Sequence, residues 1–292
     1  MSKLAYFPGC SLKDNAKRFE DAAFFVMEQL GSPLEELANW TCCGTVYSLT
    51  SDDLMRQIAP VRNFVRTQES GSDEIVALCA MCYNTLARTA HRINADEEER
   101  TKINAFMNKE PDYEGSVQVR HLLQVLRDTV GWDALSAKAV RPLEGLKVAA
   151  YYGCTLVRPD EVGIDDKEHP VVMADALEAV GAEPVGFPFE AECCGTYQIV
   201  DEPHLALEQS GRILRSAARA GADVIVTACP LCQHNLEQAI EALSAEEVEG
   251  LEKIQVVYFT ELLAAALGAD EAQMTPVVRD VLAACVPAEG GV

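Results

Sequence analysis

Ten of the eleven cysteines in this 292-residue chain form two sets of five with the same internal order. Each set has a single cysteine, then an adjacent pair followed by Gly-Thr, then a Cys-x-x-Cys motif. The first set comprises Cys10, Cys42, Cys43, Cys79 and Cys82, and the second comprises Cys154, Cys193, Cys194, Cys229 and Cys232. Thiolates are soft ligands that select zinc, copper(I) or iron–sulfur clusters. The repetition therefore predicts two metal centres of the same kind.

Five thiols per half exceed by one what the common thiolate sites require. A structural zinc ion takes four ligands, and a cubane iron–sulfur cluster also takes four cysteines. A structural thiol would explain one surplus cysteine, but the same surplus in both halves favours a site that uses five. Disulfides are a distant alternative, because no secretion signal is present and because the neighbours Cys42 and Cys43 cannot bridge each other without strain.

Composition excludes several classes of function. The net charge of −22 argues against nucleic acids and anionic lipid surfaces, which require a basic face. No stretch approaches the roughly 18 apolar residues of a membrane helix, so no direct membrane span is expected. The amino-terminal residues do not resemble an export signal, and a cytoplasmic location is predicted.

The elements around the cysteines also repeat, which predicts an α/β fold. Strand-like runs precede Cys10 and Cys154, and the strand-like run 74–79 matches 224–229 at an offset of 150 residues. Helical patterns alternate with these runs, so each half should be a βαβ-type unit with a small parallel sheet, the two halves being related by pseudo-two-fold symmetry. Cysteines that follow parallel strands would converge at the carboxyl edge of a sheet.

These patterns predict three regions. Residues 1–94 form the first half-domain, residues 95–145 form a connecting segment with a helix near 117–126, and residues 146–292 form the second half-domain with a C-terminal strand and helices. A strand over 254–259 should lead into a helix over 260–267, with Thr260 as its N-cap. Cys285 should pack as a small hydrophobe in a C-terminal helix.

The duplicated pattern of one cysteine, a cysteine pair and a Cys-x-x-Cys motif resembles the cysteine-rich CCG domain of HdrB, a component of heterodisulfide reductase. The resemblance spans the chain and includes Tyr151-Tyr-Gly-Cys154, Phe189-Glu-Ala-Glu-Cys-Cys-Gly195 and Tyr258-Phe-Thr-Glu-Leu-Leu263. One departure is the spacer of 34 residues between Cys194 and Cys229, which is a residue shorter than the family pattern. The resemblance implies that each five-cysteine set ligates one non-cubane 4Fe–4S cluster, with zinc in one site as a minor alternative.

The resemblance also implies a reaction. A small-molecule disulfide between the two clusters would be reduced to two thiols by successive one-electron transfers. The partners implied are a ferredoxin-like HdrC protein and a flavin-containing HdrA protein of the same complex, and the chain has no Gly-rich dinucleotide motif of its own. The alternative is an electron-transfer or quinone-reducing subunit of a succinate or fumarate reductase, or of a glycolate or lactate oxidation system. A third interpretation makes the sites structural zinc in an interaction module.

Several other residues near the cysteines are candidates for supporting roles. His234 is a candidate proton donor because it follows Cys232 by two positions. Lys13, Lys17 and Arg158 follow the first cysteine of their halves and are candidates for binding anionic groups of a substrate. Gly9, Gly44, Gly153 and Gly195 would let the backbone pass close to the metals, although turn glycines would have the same pattern.

Overall fold

The computed structural model describes residues 3–45, 54–243 and 254–285. The strands are β1 (Leu4–Phe7), β2 (Leu34–Glu36), β3 (Glu74–Ala77), β4 (Gln118–His121), β5 (Lys147–Tyr151), β6 (Glu183–Pro184), β7 (Val224–Thr227) and β8 (Gln255–Tyr258). The helices of the first half and connecting segment are α1 (Gly9–Leu12), α2 (Lys17–Gln29), α3 (Ile58–Glu69), α4 (Ala80–Ala95), α5 (Glu97–Phe106), α6 (Leu122–Val125) and α7 (Trp132–Ala137). Those of the second half are α8 (Val172–Glu178), α9 (Pro203–Arg219), α10 (Pro230–Ala242), α11 (Phe259–Ala266) and α12 (Pro276–Cys285).

The strands form two four-stranded sheets with the same order. The first sheet is ordered β2-β1-β3-β4 and the second β6-β5-β7-β8, and every adjacent pair is parallel. The central strands are buried, as expected when helices cover both faces of a parallel sheet. The predicted α/β fold with a small parallel sheet in each half is therefore confirmed.

The connecting segment differs from the sequence prediction. A helix was expected near 117–126, but Gln118–His121 is the fourth strand of the first sheet, and a short helix follows it from Leu122. The strand pairs with β3 in register, with Ala77 opposite His121. Part of the segment 95–145 is therefore built into the first sheet.

The expected cap at Thr260 is wrong. Helix α11 begins at Phe259, and its N-cap is Tyr258, whose backbone N–H donates to Glu261 at 3.0 Å. Thr260 is buried inside the helix, and its hydroxyl donates to the carbonyl of Phe19 at 3.1 Å. Thr260 therefore hydrogen-bonds to the first half of the chain instead of capping its own helix. Glu261, three residues after the N-cap Tyr258, occupies the position that a capping box requires.

The two halves pack directly against each other. Helix α2 of the first half lies on α11 of the second, and the Phe19 and Tyr258 rings stack there at 4.3 Å. On another side of the contact, the buried amide of Asn84 donates to the carbonyls of Thr155 and Arg158 at 2.8 and 2.7 Å. Stacked aromatics and satisfied buried amides both favour one fixed arrangement of the halves. Across the described ranges, no helix combines the length and the apolar character needed to cross a membrane.

Candidate metal centre

The two Cys-x-x-Cys motifs lie where a parallel strand turns into a helix. Cys79 follows β3 and is the N-cap of α4, while Cys229 follows β7 and is the N-cap of α10. Cys82 and Cys232 lie in the first turns of the same helices, three residues further along. Positions three apart share one helix face, so each motif presents two thiols to the same side.

The adjacent cysteine pairs reach these helices from the loops that follow β2 and β6. The Cys43 Sγ lies 3.4 Å from the Cys82 Sγ, and the matching distance from Cys194 to Cys232 is 3.5 Å. In both loops the glycine after the pair donates its N–H to the first thiol, from Gly44 to Cys42 at 3.4 Å and from Gly195 to Cys193 at 3.3 Å. The two halves thus hold their cysteine pairs by the same contacts.

The two sets meet at Cys79 and Cys229. These matched thiols face each other across the boundary between the halves, close enough that each shifts the pKa of the other. The backbone reinforces this contact, because the N–H of Ala80 donates to the carbonyl of Ala228 at 3.0 Å. The two sets of cysteines therefore adjoin each other at Cys79 and Cys229.

The thiols differ in exposure according to their place in the site. Six are buried, with exposed fractions between 2% and 8%: Cys43, Cys79, Cys82, Cys194, Cys229 and Cys232. The remaining four are the first cysteine of each set and the first member of each pair; Cys10 and Cys42 are exposed, and Cys154 and Cys193 are half-buried. The buried thiols form a floor, and the other four form a rim that solvent can reach.

Hydrogen bonds among the thiols raise the pKa of some and lower the pKa of others. Donation from Cys42, and then from Cys82, lowers the pKa of Cys43 to about 4, whereas the pKa of Cys42 itself is raised. In the second half, donation from Cys154 and Cys194 lowers the pKa of Cys193 to about 2. The pKa of Cys229 is lowered by donation from Cys232 and Cys79. A thiol that donates a hydrogen bond to a neighbouring sulfur stabilises the deprotonated form of that neighbour. The lowered pKa values therefore favour the thiolate, the form that binds metal, at Cys43, Cys193 and Cys229.

The donor set suits soft metals, although its geometry is not that of a single ion. In the part of the chain that the structure describes, no three Cys, His, Asp or Glu side chains surround one point as ligands of one ion. Sulfur–sulfur contacts instead join Cys43 to Cys82 and Cys194 to Cys232. A Cβ at Gly9 would lie 3.1 Å from the Cys82 Sγ, and one at Gly153 would lie 3.3 Å from the Cys232 Sγ. Both glycines have positive φ, so they leave room beside a thiol that another residue would fill.

Polar side chains behind the second set were not found by sequence reasoning. The buried amide of Asn235 donates to the Cys194 carbonyl at 3.3 Å, the Cys194 Sγ at 3.6 Å and the Thr196 hydroxyl at 3.3 Å. The Thr196 hydroxyl lies 3.0 Å from the same sulfur. In the first half, Thr85 occupies the position of Asn235 and donates to the Thr45 hydroxyl at 3.2 Å. The sequence could have indicated these residues, because a polar residue follows the last cysteine of each Cys-x-x-Cys motif by three positions.

Tyr197 links the two sets at the mouth of the site. Its hydroxyl donates to the Met81 Sδ, between the first Cys-x-x-Cys cysteines, at 3.6 Å. Burial raises its pKa, and the nearby Cys154, Cys193 and Cys229 raise it further. The residue is nevertheless 49% exposed. It therefore forms part of the solvent-facing edge of the site and remains protonated at neutral pH.

The sequence has clear relatives. The family described as "Cysteine-rich domain" (CCG) matches residues 4–87 and 148–237. The chain is 31% identical over 274 residues to the HdrB component of the ferredoxin/F420H2-dependent CoB-CoM heterodisulfide reductase of Methanosarcina acetivorans, covering 92% of this chain and 90% of the relative. The chain belongs to the HdrB family of CCG-domain proteins. It is also 30% identical over 269 residues to the 8-methylmenaquinol:fumarate reductase membrane anchor subunit of Wolinella succinogenes, covering 91% of this chain and 92% of the relative.

One solved structure supports the fold of this HdrB family member. A hypothetical protein from Helicobacter pylori matches with a TM-score of 0.72 and 11% sequence identity. The match covers 96% of this chain and 50% of that one, so this chain spans about half the length of the solved structure. At this identity the likeness concerns the fold alone.

The structure does not bring all the predicted supporting residues to the thiols. His234 is exposed on α10, two positions after the buried Cys232 and so on a different helix face. Lys13 and Lys17 bind the buried carboxylate of Glu20 at 2.7 and 2.9 Å, and Lys13 also binds Glu36 at 2.5 Å. Their charges are therefore already compensated.

Arg158 does lie beside a predicted site residue. It lines an open cleft of about 680 Å³ together with Cys154 and Arg88. Its guanidinium donates to the carbonyl of Ala191 at 2.8 Å and to Glu168 at 3.0 Å. Of the four glycines, Gly9 and Gly153 adjoin thiols, whereas Gly44 and Gly195 pack against helices α3 and α9.

Proposed function

We propose that this chain is the catalytic HdrB component of a heterodisulfide-reductase-type complex, and that it reduces a disulfide to two thiols. The observation that carries the proposal is that the two matched five-cysteine sets adjoin at Cys79 and Cys229, where the Ala80 N–H donates to the Ala228 carbonyl at 3.0 Å. Cleavage of one S–S bond consumes two electrons and two protons and yields two thiols. Two adjoining sites suit a reaction that needs two electrons in succession.

The residues that would hold the redox groups are the two cysteine sets. Cys10, Cys42, Cys43, Cys79 and Cys82 would ligate the first non-cubane 4Fe–4S cluster, and Cys154, Cys193, Cys194, Cys229 and Cys232 the second. Each set has five thiols, one more than a tetrahedral zinc ion takes, which supports clusters with several irons over one zinc ion. When bound, the two clusters would supply two adjacent one-electron centres.

The protein part of the site would position the substrate and regulate access of water. The buried floor keeps six thiols away from solvent, which protects them from exchange and oxidation. The rim at Cys10, Cys42, Cys154 and Cys193 is open, so a disulfide and the two protons would arrive from that side. Arg88 lines the cleft at Cys154, where it would bind an anionic end of the substrate, whereas Arg158 in the same cleft is already bound to Glu168.

Electrons must come from another protein, for which we propose a ferredoxin-like HdrC protein, supplied in turn by a flavin-containing HdrA protein. The relative from Methanosarcina acetivorans, which belongs to a ferredoxin/F420H2-dependent reductase, supports this arrangement. A second candidate function is electron transfer to a quinone, which the similarity to the fumarate reductase subunit of Wolinella succinogenes favours.

Metal analysis and a donor–acceptor assay test these proposals on anaerobically purified protein. We expect about eight iron and eight sulfide per chain, and Cys82→Ala or Cys232→Ala should each remove about half. Cys285→Ser, outside both sets, is the matched control and should remove none. One zinc per half without sulfide would overturn the cluster proposal. With reduced viologen as donor, thiol formation from disulfides supports the first function, whereas quinone turnover without thiol formation supports the second.

A further inference from the structure

A basic face stands out on helix α9. Arg212, Arg215 and Arg219 are spaced three and four residues apart and therefore share one side of the helix. They line a groove of about 490 Å³ with Phe189, and among the residues that the structure describes no carboxylate lines it. Arg212 and Arg219 are exposed, and Arg215 is half-buried.

This face contrasts with the charge of the whole chain. The chain has 46 acidic residues against 24 Lys and Arg, a net charge of −22. An acidic protein would be repelled by most of such a surface and attracted where positive charge is concentrated. The Arg212 guanidinium also lies over the Phe189 ring at 4.9 Å from its centroid. Stacking of this kind holds the guanidinium in place and reduces the entropy lost when a partner binds.

The matching helix of the first half has no such face. At the offset of 150 residues, Arg212 corresponds to Arg62 and Arg219 corresponds to Glu69 on α3. Arg62 binds Glu110 at 2.7 Å, and Arg66 binds both Glu69 and Glu110 at 2.8 and 2.9 Å. Arg62 and Arg66 are therefore paired with carboxylates within the chain, whereas Arg212 lies over the Phe189 ring and Arg219 is exposed.

Helix α9 also lies against the second cysteine pair. The Ser210 hydroxyl donates to the Cys194 carbonyl at 3.0 Å, and Gly195 packs against Ala206 so closely that a Cβ would lie 2.6 Å from the Ala206 Cα. Phe189, under Arg212, precedes Cys193 by four residues, which limits their Cα separation to about 14 Å. A partner on the arginine face would thus be adjacent to the second thiol set.

We propose that this arginine face docks the acidic surface of the protein that supplies electrons, so that electrons reach the second cysteine set first. The proposal rests on the proposed function in that it assumes an external electron donor. Complementary charge at the edge of an interface acts mainly on the association rate and depends on ionic strength.

The test compares two charge-reversal variants with equal change in net charge. The first is Arg212→Glu/Arg219→Glu, and the control is Lys109→Glu/Lys138→Glu, at two exposed lysines outside helix α9. The probe is an acidic plant-type [2Fe–2S] ferredoxin. Its binding is measured by biolayer interferometry, and electron transfer from its reduced form is measured by stopped-flow absorbance. Arg219→Ala serves as a milder variant that retains the rest of the face.

We expect Arg212→Glu/Arg219→Glu to weaken ferredoxin binding and slow electron transfer at least tenfold (about 10–10³ in association rate is typical of steering) at low salt. Arg219→Ala should show a smaller loss, and the lysine control less than a twofold change. Wild-type binding should weaken as salt increases. Equal losses in the control, or no loss in the arginine variant, would overturn the docking face. An assay with reduced viologen as donor separates the docking proposal from the proposed function. If viologen drives neither disulfide nor quinone turnover, the proposed function fails. Interferometry still reports on ferredoxin docking in that case.

Discussion

The backbone N–H of Ala80 donates a hydrogen bond to the carbonyl oxygen of Ala228 at 3.0 Å. These residues lie directly beside Cys79 and Cys229, so the bond joins the start of one Cys-x-x-Cys helix to the strand end that precedes the other. Backbone bonds are indifferent to side-chain identity and difficult to replace when buried. The relative position of the two thiol sets is therefore set by main-chain contact, with Asn84 holding the same boundary from another side.

Substituting the glycines beside the thiols should affect metal content more than folding. Gly9→Ala and Gly153→Ala place a Cβ at 3.1 and 3.3 Å from the Cys82 and Cys232 sulfurs, at φ of +68° and +65°. We expect each variant to lose about half of its iron and sulfide, and to lose about 1 kcal/mol of stability from the unfavourable φ. Iron analysis and thermal unfolding measure the two effects.

Two other glycines are matched controls for these variants. Gly71 and Gly221 have φ of +78° and +80°, and a Cβ at either would meet nothing within 4 Å. Gly71→Ala and Gly221→Ala should therefore carry the same backbone cost while retaining full iron. If the control variants lose as much iron as Gly9→Ala and Gly153→Ala, contact with the thiols is not the cause.

Removing the amide of Asn84 should loosen the boundary between the halves. Asn84→Ala leaves the carbonyls of Thr155 and Arg158 without their donor, at an expected cost of about 1–3 kcal/mol. His234 occupies the equivalent position in the second half but is exposed, so His234→Ala should change stability by no more than about 0.5 kcal/mol. Thermal unfolding of both variants measures this difference, and equal destabilisation would contradict it.

Asn235 should tune the redox behaviour of the second set. Its amide donates to the Cys194 sulfur and carbonyl, and donors to sulfur stabilise the more negative, reduced state of a cluster. Asn235→Leu should therefore make the reduction potential of the second cluster more negative and leave the first unchanged, as followed by a redox titration with electron paramagnetic resonance. Gln238→Leu, on the exposed side of the same helix, is the control. A change of the same size in both variants would argue against the hydrogen bonds as the cause.

Much of the fold was predictable because the chain is duplicated. The offset that aligns Cys79 with Cys229 also aligns their strands, and parallel strands direct their carboxyl ends to one edge. Strand β4 was missed because it lacks the apolar run of the other predicted strands, and only His121 of its four residues is buried. A second repeat could have revealed this strand, because Gln118-Val-Arg-His matches Gln255-Val-Val-Tyr. The last residue of each run is a helix N-cap, and its backbone N–H donates to the side chain three residues later, Gln124 or Glu261.

Residue roles that depend on other elements were not predictable. Lys13 and Lys17 follow Cys10 in sequence, but the helix that follows places Glu20 within reach of both ammonium groups. Thr260 has the side chain of a cap, yet the carbonyl it binds belongs to Phe19 in the other half. The local sequence pattern predicts the helix or strand in which a residue lies. The groups that its side chain binds depend on how the helices and strands pack together.

The buried imidazole of His121 should make stability depend on pH. His121 ends β4; its Nε2 lies 2.7 Å from the carbonyl of Leu78, which precedes Cys79, and its Nδ1 accepts from the Leu123 N–H at 3.2 Å. Burial lowers the pKa of His121 to about 4. With decreasing pH, the unfolded chain takes up a proton near its ordinary pKa of about 6.5, whereas the folded chain does so only near 4. The free energy of unfolding should thus decrease between these two pH values, by at most about 3 kcal/mol.

His121→Gln isolates this contribution, because the amide of glutamine still donates to the Leu78 carbonyl but does not titrate. We expect the melting temperature of the wild type to exceed that of the variant most at pH 7, and the difference to narrow steadily towards pH 4. Other carboxylates and thiols titrate in both proteins, so their effects cancel in the comparison. His91 is exposed, and His91→Gln should leave the pH profile of the wild type unchanged. A constant difference between wild type and His121→Gln across this range would show that the imidazole is not held neutral by burial.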